Sequence, residues 1–285
     1  MPYFYKVISG LTILWFFTSS LQAQNLTDGF TLGQGNTTIA LSYSWESYDQ
    51  FYFADEKRDA PAPYGGEIST QSISLFAAYG LTDKLDIIVN LPYIQAKGDG
   101  DDETLDQDVD NLQDVSLFLE WNPLSLETDG GKLSFVGALG LSTPLSDYEA
   151  DAVLSIGNQS TRMDPKVLIQ YQTKSGLFAN LQAGYSLRSN DVPNATVLGA
   201  KVGFAAAKFY LDIWSESQYS DSDAPDITPG EVPFNETRVN YAQLGANAYY
   251  PISSLVGVSV GYGQYVSGRN VGLASRISGS LIFNL

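Results

Sequence analysis

The densest group of side chains that could do chemistry is the acidic run at residues 98–111, GDGDDETLDQDVDN. Carboxylates bind hard divalent cations such as Ca²⁺, and Asp106, Asp108 and Asp110 have the initial spacing of a calcium-binding loop. The rest of that pattern fails, because Asn111 stands where the loop needs a glycine and the twelfth position carries no acid. Weak divalent-cation binding by these three aspartates is one interpretation. A solvated loop whose charges repel one another is the favoured one.

The residue types needed for most enzyme mechanisms are missing from the chain. It contains no histidine and no cysteine, which removes Ser-His and Cys-His nucleophile pairs, most transition-metal sites and all disulfides. A hydrolase built on paired carboxylates is formally open, but no spacing singles out such a pair. We therefore predict a protein that is not an enzyme and that needs no cofactor.

The net charge makes nucleic acid an unsuitable partner. The 285 residues include 15 Lys and Arg against 32 Asp and Glu, a formal charge of −17 at pH 7. Binding to phosphate groups depends on Lys and Arg. We predict no nucleic-acid partner.

The N-terminus has the pattern of a secretory signal peptide. Lys6 precedes an apolar run at residues 7–17, VISGLTILWFF, and a cleavage site follows Ala23. This run is shorter than the roughly 20 residues that a helix needs to span a bilayer, so a membrane anchor is the less favoured alternative. We assign residues 1–23 to a signal peptide and residues 24–285 to one exported domain.

Beyond residue 24 the sequence alternates between apolar and polar residues. In YGLTDKLDIIVNLPYI at 79–94, for example, Leu85, Ile87 and Val89 fall on one parity and Asp86 on the other. This period of two is typical of a β-strand with one apolar face. Twelve segments show it: 36–48, 68–79, 85–95, 112–121, 133–141, 162–172, 177–188, 195–204, 209–218, 237–250, 255–266 and 271–285. A bulge is expected between residues 239 and 244, and Pro92 is expected to mark a bulge or a rim.

The connections between these segments are short and long in alternation, which a soluble sandwich does not require. Outer-membrane barrels have short periplasmic turns, longer extracellular loops and an even number of strands. We therefore predict an all-β fold: a single antiparallel transmembrane β-barrel of about 12 strands, in the outer membrane of a Gram-negative (diderm) bacterium. Its expected partners are outer-membrane lipid, lipopolysaccharide and the barrel assembly machinery.

Aromatic residues near the strand ends support a membrane over a soluble core. Nine lie on the apolar parity, where an interfacial girdle would be placed, although ordinary core packing is the alternative. They are Tyr43, Trp45, Tyr79, Tyr93, Trp121, Tyr171, Tyr185, Tyr250 and Tyr262. The last segment also alternates up to Leu285, which is similar to the C-terminal assembly signal of outer-membrane barrels.

Two segments resemble one family in particular. Gly80-Leu81-Thr82-Asp83-Lys84-Leu85 with Leu91-Pro92-Tyr93, followed by Asp114 in NLQDVSLFLEW, resembles the paired motifs of the MetA-pathway phenol-degradation family of outer-membrane proteins. The sequence departs from the family pattern at Asn111 and Gln113, which replace glycines. The resemblance implies a barrel that passes small hydrophobic or aromatic molecules across the outer membrane.

Strand parity places a set of charged residues inside such a barrel. They are Glu46, Asp86, Asp114, Glu120, Lys166, Arg188, Lys201, Asp212, Glu216 and Arg276. Opposed charges in a lumen set the selectivity of a pore, and they can equally brace the wall as a structural network. A narrow or partly plugged path is expected, since twelve strands fall between filled eight-strand barrels and open sixteen-strand porins.

The expected function is passive uptake of small, hydrophobic or aromatic molecules. The alternative is a non-transporting outer-membrane surface or structural protein whose acidic loops are the interaction face. An open lumen would favour the first, and a fully plugged lumen would suit the second.

Overall fold

The computed structural model describes residues 26–60, 64–100, 107–152, 154–227 and 234–285. The expected signal peptide at 1–23 and the cation candidate Asp106 lie outside these residues. Nearly all regular structure of the described residues is β-strand, and a 3₁₀ turn lies at Phe234–Glu236. Throughout the described ranges, no helix has the length and apolar character needed to cross a membrane.

Sixteen strands follow one another along the described part of the chain. They are β1 (Thr37–Tyr48), β2 (Gln50–Phe53), β3 (Glu56–Asp59), β4 (Ile68–Thr82), β5 (Leu85–Gly98), β6 (Asp108–Leu112), β7 (Asp114–Glu127), β8 (Gly131–Pro144), β9 (Arg162–Thr173), β10 (Leu177–Arg188), β11 (Ala195–Ala206), β12 (Phe209–Ser220), β13 (Asn240–Pro251), β14 (Val256–Arg269), β15 (Val271–Gly272) and β16 (Ser275–Asn284).

Twelve of these strands form a closed antiparallel barrel, as predicted. Each wall strand pairs with its neighbour in sequence, β16 pairs with β1 and β14, and the β1–β4 and β4–β5 pairings complete the ring. Strand β6 directly precedes β7 and pairs with β5 from Tyr93 to Lys97. Closure leaves the sheet without an edge, which is the condition for a sheet to lie in lipid.

The two ends of the barrel differ in the length of their connections. One end, the short-turn end, carries turns of a few residues such as the ones after β4, β9 and β11, together with the start of β1 and the end of β16. The other, the long-loop end, carries the connections at 145–161 and 221–239 and the small sheet β15-β2-β3. This arrangement matches the predicted alternation.

The structure corrects two details of the strand assignment. The predicted strand 271–285 is divided, because Val271–Gly272 pairs with Tyr52 and Phe51 in the loop sheet and only Ser275–Asn284 belongs to the wall. The connection 49–67, expected to be a loop, contains the hairpin of β2 and β3. Both segments are short strands outside the membrane-spanning wall, where parity does not reveal which sheet a segment joins.

Irregular pairing occurs at the two places where the sequence predicted it, and also after Gly80 on β4 and after Trp121 on β7. A register shift lies between Ala242 and Gln243 of β13, inside the expected range 239–244. On β5, Asn90 pairs with Ser116 of β7 whereas Tyr93 pairs with Leu112 of β6, so the partner strand is offset by one residue around Pro92. Proline cannot donate to a ladder, and this is the position where β6 and β7 separate.

The outward face of the wall is apolar over its whole circumference. Side chains such as Leu181, Val167, Ile213 and Val260 are each more than 60% exposed. Eight of the nine aromatic residues assigned to the girdle are exposed on this face, and Tyr185 is half-buried with its hydroxyl bonded to Asp221. An apolar surface of this extent is favourable in contact with hydrocarbon and unfavourable in contact with water.

We expect Leu181→Arg, on this face midway along β10, to destabilise the folded barrel by roughly 2–4 kcal/mol, because a guanidinium is costly near the bilayer midplane. Urea titration of the protein in lipid vesicles measures the change. Ser175→Arg in the neighbouring exposed turn adds the same charge outside the strands and is expected to leave stability nearly unchanged. Equal stability of the two variants would contradict the placement of β10 in lipid.

Candidate functional site

A segment preceding the first strand lies inside the barrel at its short-turn end. This inner segment, residues 26–35, has no regular secondary structure and turns on Gly29, Gly33 and Gly35, which have φ angles of 92°, 80° and 83°. Such angles favour glycine. At Gly80 of the wall a side chain would collide with the inner segment, because a Cβ there would lie 1.8 Å from the carbonyl oxygen of Gly33.

Polar side chains of the wall hold the backbone of the inner segment. The N–H of Leu32 donates to Asp86 Oδ2 at 2.8 Å, and the N–H of Asp28 donates to Glu120 Oε2 at 3.3 Å. From the opposite direction, Asn180 Nδ2 donates to the Asp28 carbonyl at 2.7 Å. These bonds replace the water that would otherwise satisfy an irregular backbone at membrane depth.

An apolar layer packs against the inner segment and crosses the lumen. It combines Leu32 with inward side chains from eight wall strands, and Leu26 and Phe30 pack against it. The wall members are Ala40, Phe76, Ala78, Ile88, Phe118, Phe178, Tyr210, Tyr249 and Ile282. Phe30 meets the ring of Phe178 edge to face, with 5.3 Å between the centroids. The lumen at this level is therefore closed by packed side chains.

Asp86 and Glu120, both predicted to face the lumen, are neighbours across β5 and β7. Both are almost completely buried. Each uses one carboxylate oxygen for the inner segment, and the other oxygens, Asp86 Oδ1 and Glu120 Oε1, are buried without a hydrogen bond among the described residues. The two acids are thus among the anchors of the inner segment, an arrangement that parity alone does not predict.

A second group of predicted lumen residues forms a buried ion pair. Lys201 Nζ lies 3.8 Å from Asp212 Oδ2, and both side chains are almost fully buried. Asp212 also accepts hydrogen bonds from Tyr210 at 2.6 Å and from Asn247 at 2.8 Å. Since a buried charge is costly unless it is paired and hydrogen-bonded, this network braces the wall.

Two further predicted residues pair between the first and last strands. Glu46 and Arg276 are directly opposite in the β1–β16 ladder, and Arg276 Nε donates to Glu46 Oε2 at 2.7 Å. Two more of the predicted residues make other contacts. The Glu216 carboxylate accepts a hydrogen bond from the Tyr241 hydroxyl at 3.0 Å. The Lys166 ammonium lies over the ring of Phe118, 5.1 Å from its centroid. These side chains point into the half of the lumen that is nearer to the long-loop end.

The remaining predicted lumen residues lie towards the long-loop end. Asp114 accepts a hydrogen bond from the Tyr148 hydroxyl of the 145–161 loop, and burial raises the pKa of that tyrosine. Arg188 ends β10 and donates to Gln218 and Pro193. All ten predicted residues thus lie on the inward parity, and whether they select a solute stays a prediction.

The described residues of the acidic run do not form a cation site. Asp108 pairs with Lys97 at 3.0 Å and accepts from Gln95, and Asp110 accepts from the Tyr93 hydroxyl. No group of three or more acids with metal-binding geometry occurs in the described part of the chain. Divalent binding that includes Asp106 remains a prediction.

Two cavities of the described structure bear on the site, one inside the barrel and one on its outer face. A chamber of about 770 Å³ opens at the short-turn end, between the inner segment and wall residues such as Asn122, Lys132 and Gln172. A depression of about 600 Å³ lies on the membrane face of the wall, lined by Leu119, Trp121, Gly137 and Val167 and reaching the inward-facing Lys166. Pro165 lies at this depression, where the pairing of β9 with β10 is interrupted between Lys166 and Met163.

The inner segment is the main feature that sequence reasoning missed. The chain from residue 24 onward was assigned to the barrel as a whole, and no separate role was given to residues before the first strand. The available signal was the apolar Leu26, Phe30 and Leu32 among closely spaced glycines. That pattern has no strand period and nonetheless buries apolar side chains.

Comparison with known proteins places this geometry in a family. Residues 57–280 match the family described as "Putative MetA-pathway of phenol degradation". The chain belongs to this family. The match includes both motif segments that suggested the resemblance, so that prediction is confirmed. No curated protein matches the sequence.

Solved structures share the fold of this family member. The chain is similar to the crystal structure of an outer membrane channel from Pseudomonas putida F1, with 16% identity and a TM-score of 0.71 over 90% of this chain and 98% of that one. It is also similar to the NanC porin, with 9% identity and a TM-score of 0.52 over 87% of this chain and 100% of that one. These likenesses confirm a barrel of the outer-membrane type.

We expect Asp86→Ala to loosen the inner segment, because the N–H of Leu32 loses a charged acceptor worth roughly 1.5–3 kcal/mol. The chain has no cysteine, so Thr27→Cys, at a site 1% exposed, reports undocking through its reaction with a water-soluble maleimide. The reaction should be roughly ten- to hundredfold faster in the Asp86→Ala background.

Asp129→Ala, in an exposed turn at the same end, removes the same charge and serves as the control. Its labelling rate should equal that of the parent Thr27→Cys protein. Equal rates for Asp86→Ala and Asp129→Ala would show that Asp86 does not hold the segment.

Proposed function

We propose that this barrel is an outer-membrane channel for passive uptake of small hydrophobic or aromatic molecules. The observation that carries the proposal is a closed transmembrane wall around a lumen that is blocked to water by an apolar layer and an inner segment held by a few hydrogen bonds. A wide polar pore would suit sugars or ions. An apolar layer suits solutes that gain free energy from leaving water.

The inner segment is the element that sets the state of the lumen. Its irregular backbone is tied to the wall through Asp86, Glu120, Gln170 and Asn180. At its end, the N–H of Gly35 also donates to the Gly80 carbonyl of β4 at 2.8 Å. A segment with few backbone bonds opens at lower free energy than a strand of the wall. With the usual orientation of such barrels the segment lies at the periplasmic end, so its displacement would join the lumen to the 770 Å³ chamber.

The depression on the membrane face supports the apolar class of solute. It is lined mainly by side chains in contact with lipid, such as Leu119, Trp121 and Val167. An apolar solute dissolved in the outer leaflet would find this depression without crossing the acidic loops. The pairing of β9 with β10 is interrupted at Pro165, so the wall lacks ladder bonds at the same place.

One observation favours the alternative of a non-transporting surface protein. The apolar layer and the inner segment pack against one another inside the described lumen at the short-turn end. In that case the loops at the opposite end would carry the function. They are tied together, since Arg269 Nε donates to Asp226 Oδ1 at 2.6 Å and this contact lowers the pKa of the aspartate.

Uptake by intact cells separates the two functions. In a porin-deficient host expressing this chain, we expect radiolabelled phenol to enter several-fold faster than in cells with an empty vector, and a small sugar to enter at the same rate in both. No difference for phenol, with the folded barrel present in the outer membrane, would contradict transport and leave the surface-protein alternative.

The membrane-face depression provides a second test. A side chain added at Gly137 meets nothing within 4 Å, so Gly137→Phe should fill the depression without disturbing the wall and should reduce phenol uptake several-fold. Gly279→Phe is the matched control, because Gly279 lies on the outward parity of β16 with only ordinary contact around its Cβ. If both variants take up phenol at the wild-type rate, the depression is not part of the route.

A further inference from the structure

We propose that Arg162 and Arg188, at the long-loop end of the lumen, together bind the carboxylate of the transported solute. The preferred solutes would then be small hydrophobic acids, above all aromatic monocarboxylates. This inference rests on the proposed function and names the solute class of the same lumen. The two residues are called the arginine pair below.

The strand register brings the two arginines together. Arg188, the last residue of β10, is directly opposite Arg162, the first residue of β9. Both lie on the inward parity, with Ser186 and Asp164 below them. Like charges in direct cross-strand positions destabilise a sheet. An anion between the two guanidinium groups converts that repulsion into attraction.

Arg188 is held in place by neutral acceptors. Its guanidinium donates to Gln218 Oε1 at 2.8 Å and to the Pro193 carbonyl at 3.2 Å, and its backbone N–H donates to Asn194 Oδ1 at 2.8 Å. A guanidinium has five N–H donors, and in the described residues none of those on Arg188 meets a carboxylate within ion-pair distance. The side chain is therefore oriented and keeps its positive charge uncompensated by direct contact.

This sets Arg188 apart from other basic groups in the lumen. Arg276 pairs with Glu46, and Lys201 pairs with Asp212. Those ion pairs lie between adjacent or diagonal wall positions, as a bracing network requires. Arg188 is braced through amide and carbonyl oxygens instead, so its charge is not matched by a carboxylate of the described residues.

Arg162 completes the pair from the side that is open to water. Its nearest carboxylate is Asp164, two residues along the same strand, with Nε 3.3 Å from Oδ2 and without hydrogen-bond geometry. Asp164 is itself an acceptor for the Ser186 hydroxyl. The Arg162 side chain is 39% exposed, so an anion arriving from the long-loop end meets it first.

Aromatic side chains lie beside the arginine pair. Gln218, which receives the Arg188 bond, is the cross-strand partner of Tyr241. The ring of Tyr241 packs edge to face on Tyr265, with 5.4 Å between centroids. An arginine fork binds a carboxylate through two parallel bonds, while tyrosine rings pack on an aromatic ring. A ring that carries one carboxylate matches both halves of this surface.

Binding of benzoate and of neutral benzyl alcohol to the purified full-length barrel tests the proposal by isothermal titration calorimetry. We expect benzoate to bind the wild type about tenfold or more tightly than benzyl alcohol, since bonds to a charged group are the stronger. Arg188→Gln and Arg162→Gln should each lose that preference, and Arg188→Lys should retain part of it. Benzyl alcohol affinity should be unchanged in all variants.

The matched control is Arg58→Gln, which removes the same charge from an exposed loop arginine paired with Glu56. It should keep the benzoate preference. Equal affinity of the wild type for the two ligands, or an unaltered preference in a correctly folded Arg188→Gln barrel, would overturn the proposal. Should Arg188→Gln fail to fold, Arg162→Gln and Arg188→Lys decide it by the same measurement.

Uptake distinguishes failure of this inference from failure of the proposed function. Cells expressing the barrel are compared with empty-vector cells for uptake of labelled benzoate and labelled phenol. Faster entry of both, with benzoate entry reduced by Arg188→Gln, supports both proposals. Faster entry of phenol with no effect on benzoate overturns the arginine pair and leaves the channel standing. No effect on either solute contradicts the channel itself.

Discussion

The structure depends on the requirement that every backbone N–H and C=O in hydrocarbon be paired within the protein. A sheet meets this requirement only when it closes, and here closure occurs where β16 meets β1. The register of that contact places residues from the two ends of the chain side by side, including Glu46 and Arg276. The same closure fixes one face of every strand to lipid and the other to a narrow lumen.

A narrow barrel must then satisfy its own interior. The structure does so at two levels that differ in chemistry. Towards the short-turn end an apolar layer and the inner segment fill the lumen, and the buried acids that border them are occupied with backbone N–H groups. Towards the long-loop end the interior carries ion pairs, tyrosines and the arginine pair. A solute moving through would pass from a charged, aromatic region to an apolar one.

This order explains why acidic loops and a basic lumen site are compatible. The loops are acidic, and specific contacts such as that of Arg269 with Asp226 hold them. The arginine pair lies behind them, on the wall, where the lower dielectric strengthens attraction to an anion. The same lower dielectric raises the cost of an unpaired charge, so the neutral acceptors around Arg188 hold the guanidinium in a defined position.

The sequence by itself determined the features that depend on local period and composition. The alternation of apolar and polar residues predicted the wall strands and their outward apolar face. It also predicted the inward parity of all ten charged candidates, because a strand turns each successive side chain to the opposite face. Motif residues around Gly80 and Pro92 indicated the family. The alternating lengths of the connections separated the two ends of the barrel.

Only the tertiary structure decided what those inward residues contact. Asp86 meets Leu32, 54 residues away, and Glu46 meets Arg276, 230 residues away. Such contacts follow from where the ring closes and where the inner segment enters it, and no local pattern contains that information. The opposition of Arg162 and Arg188 likewise depends on the register of one hairpin, since a slip of one residue would turn either side chain toward lipid.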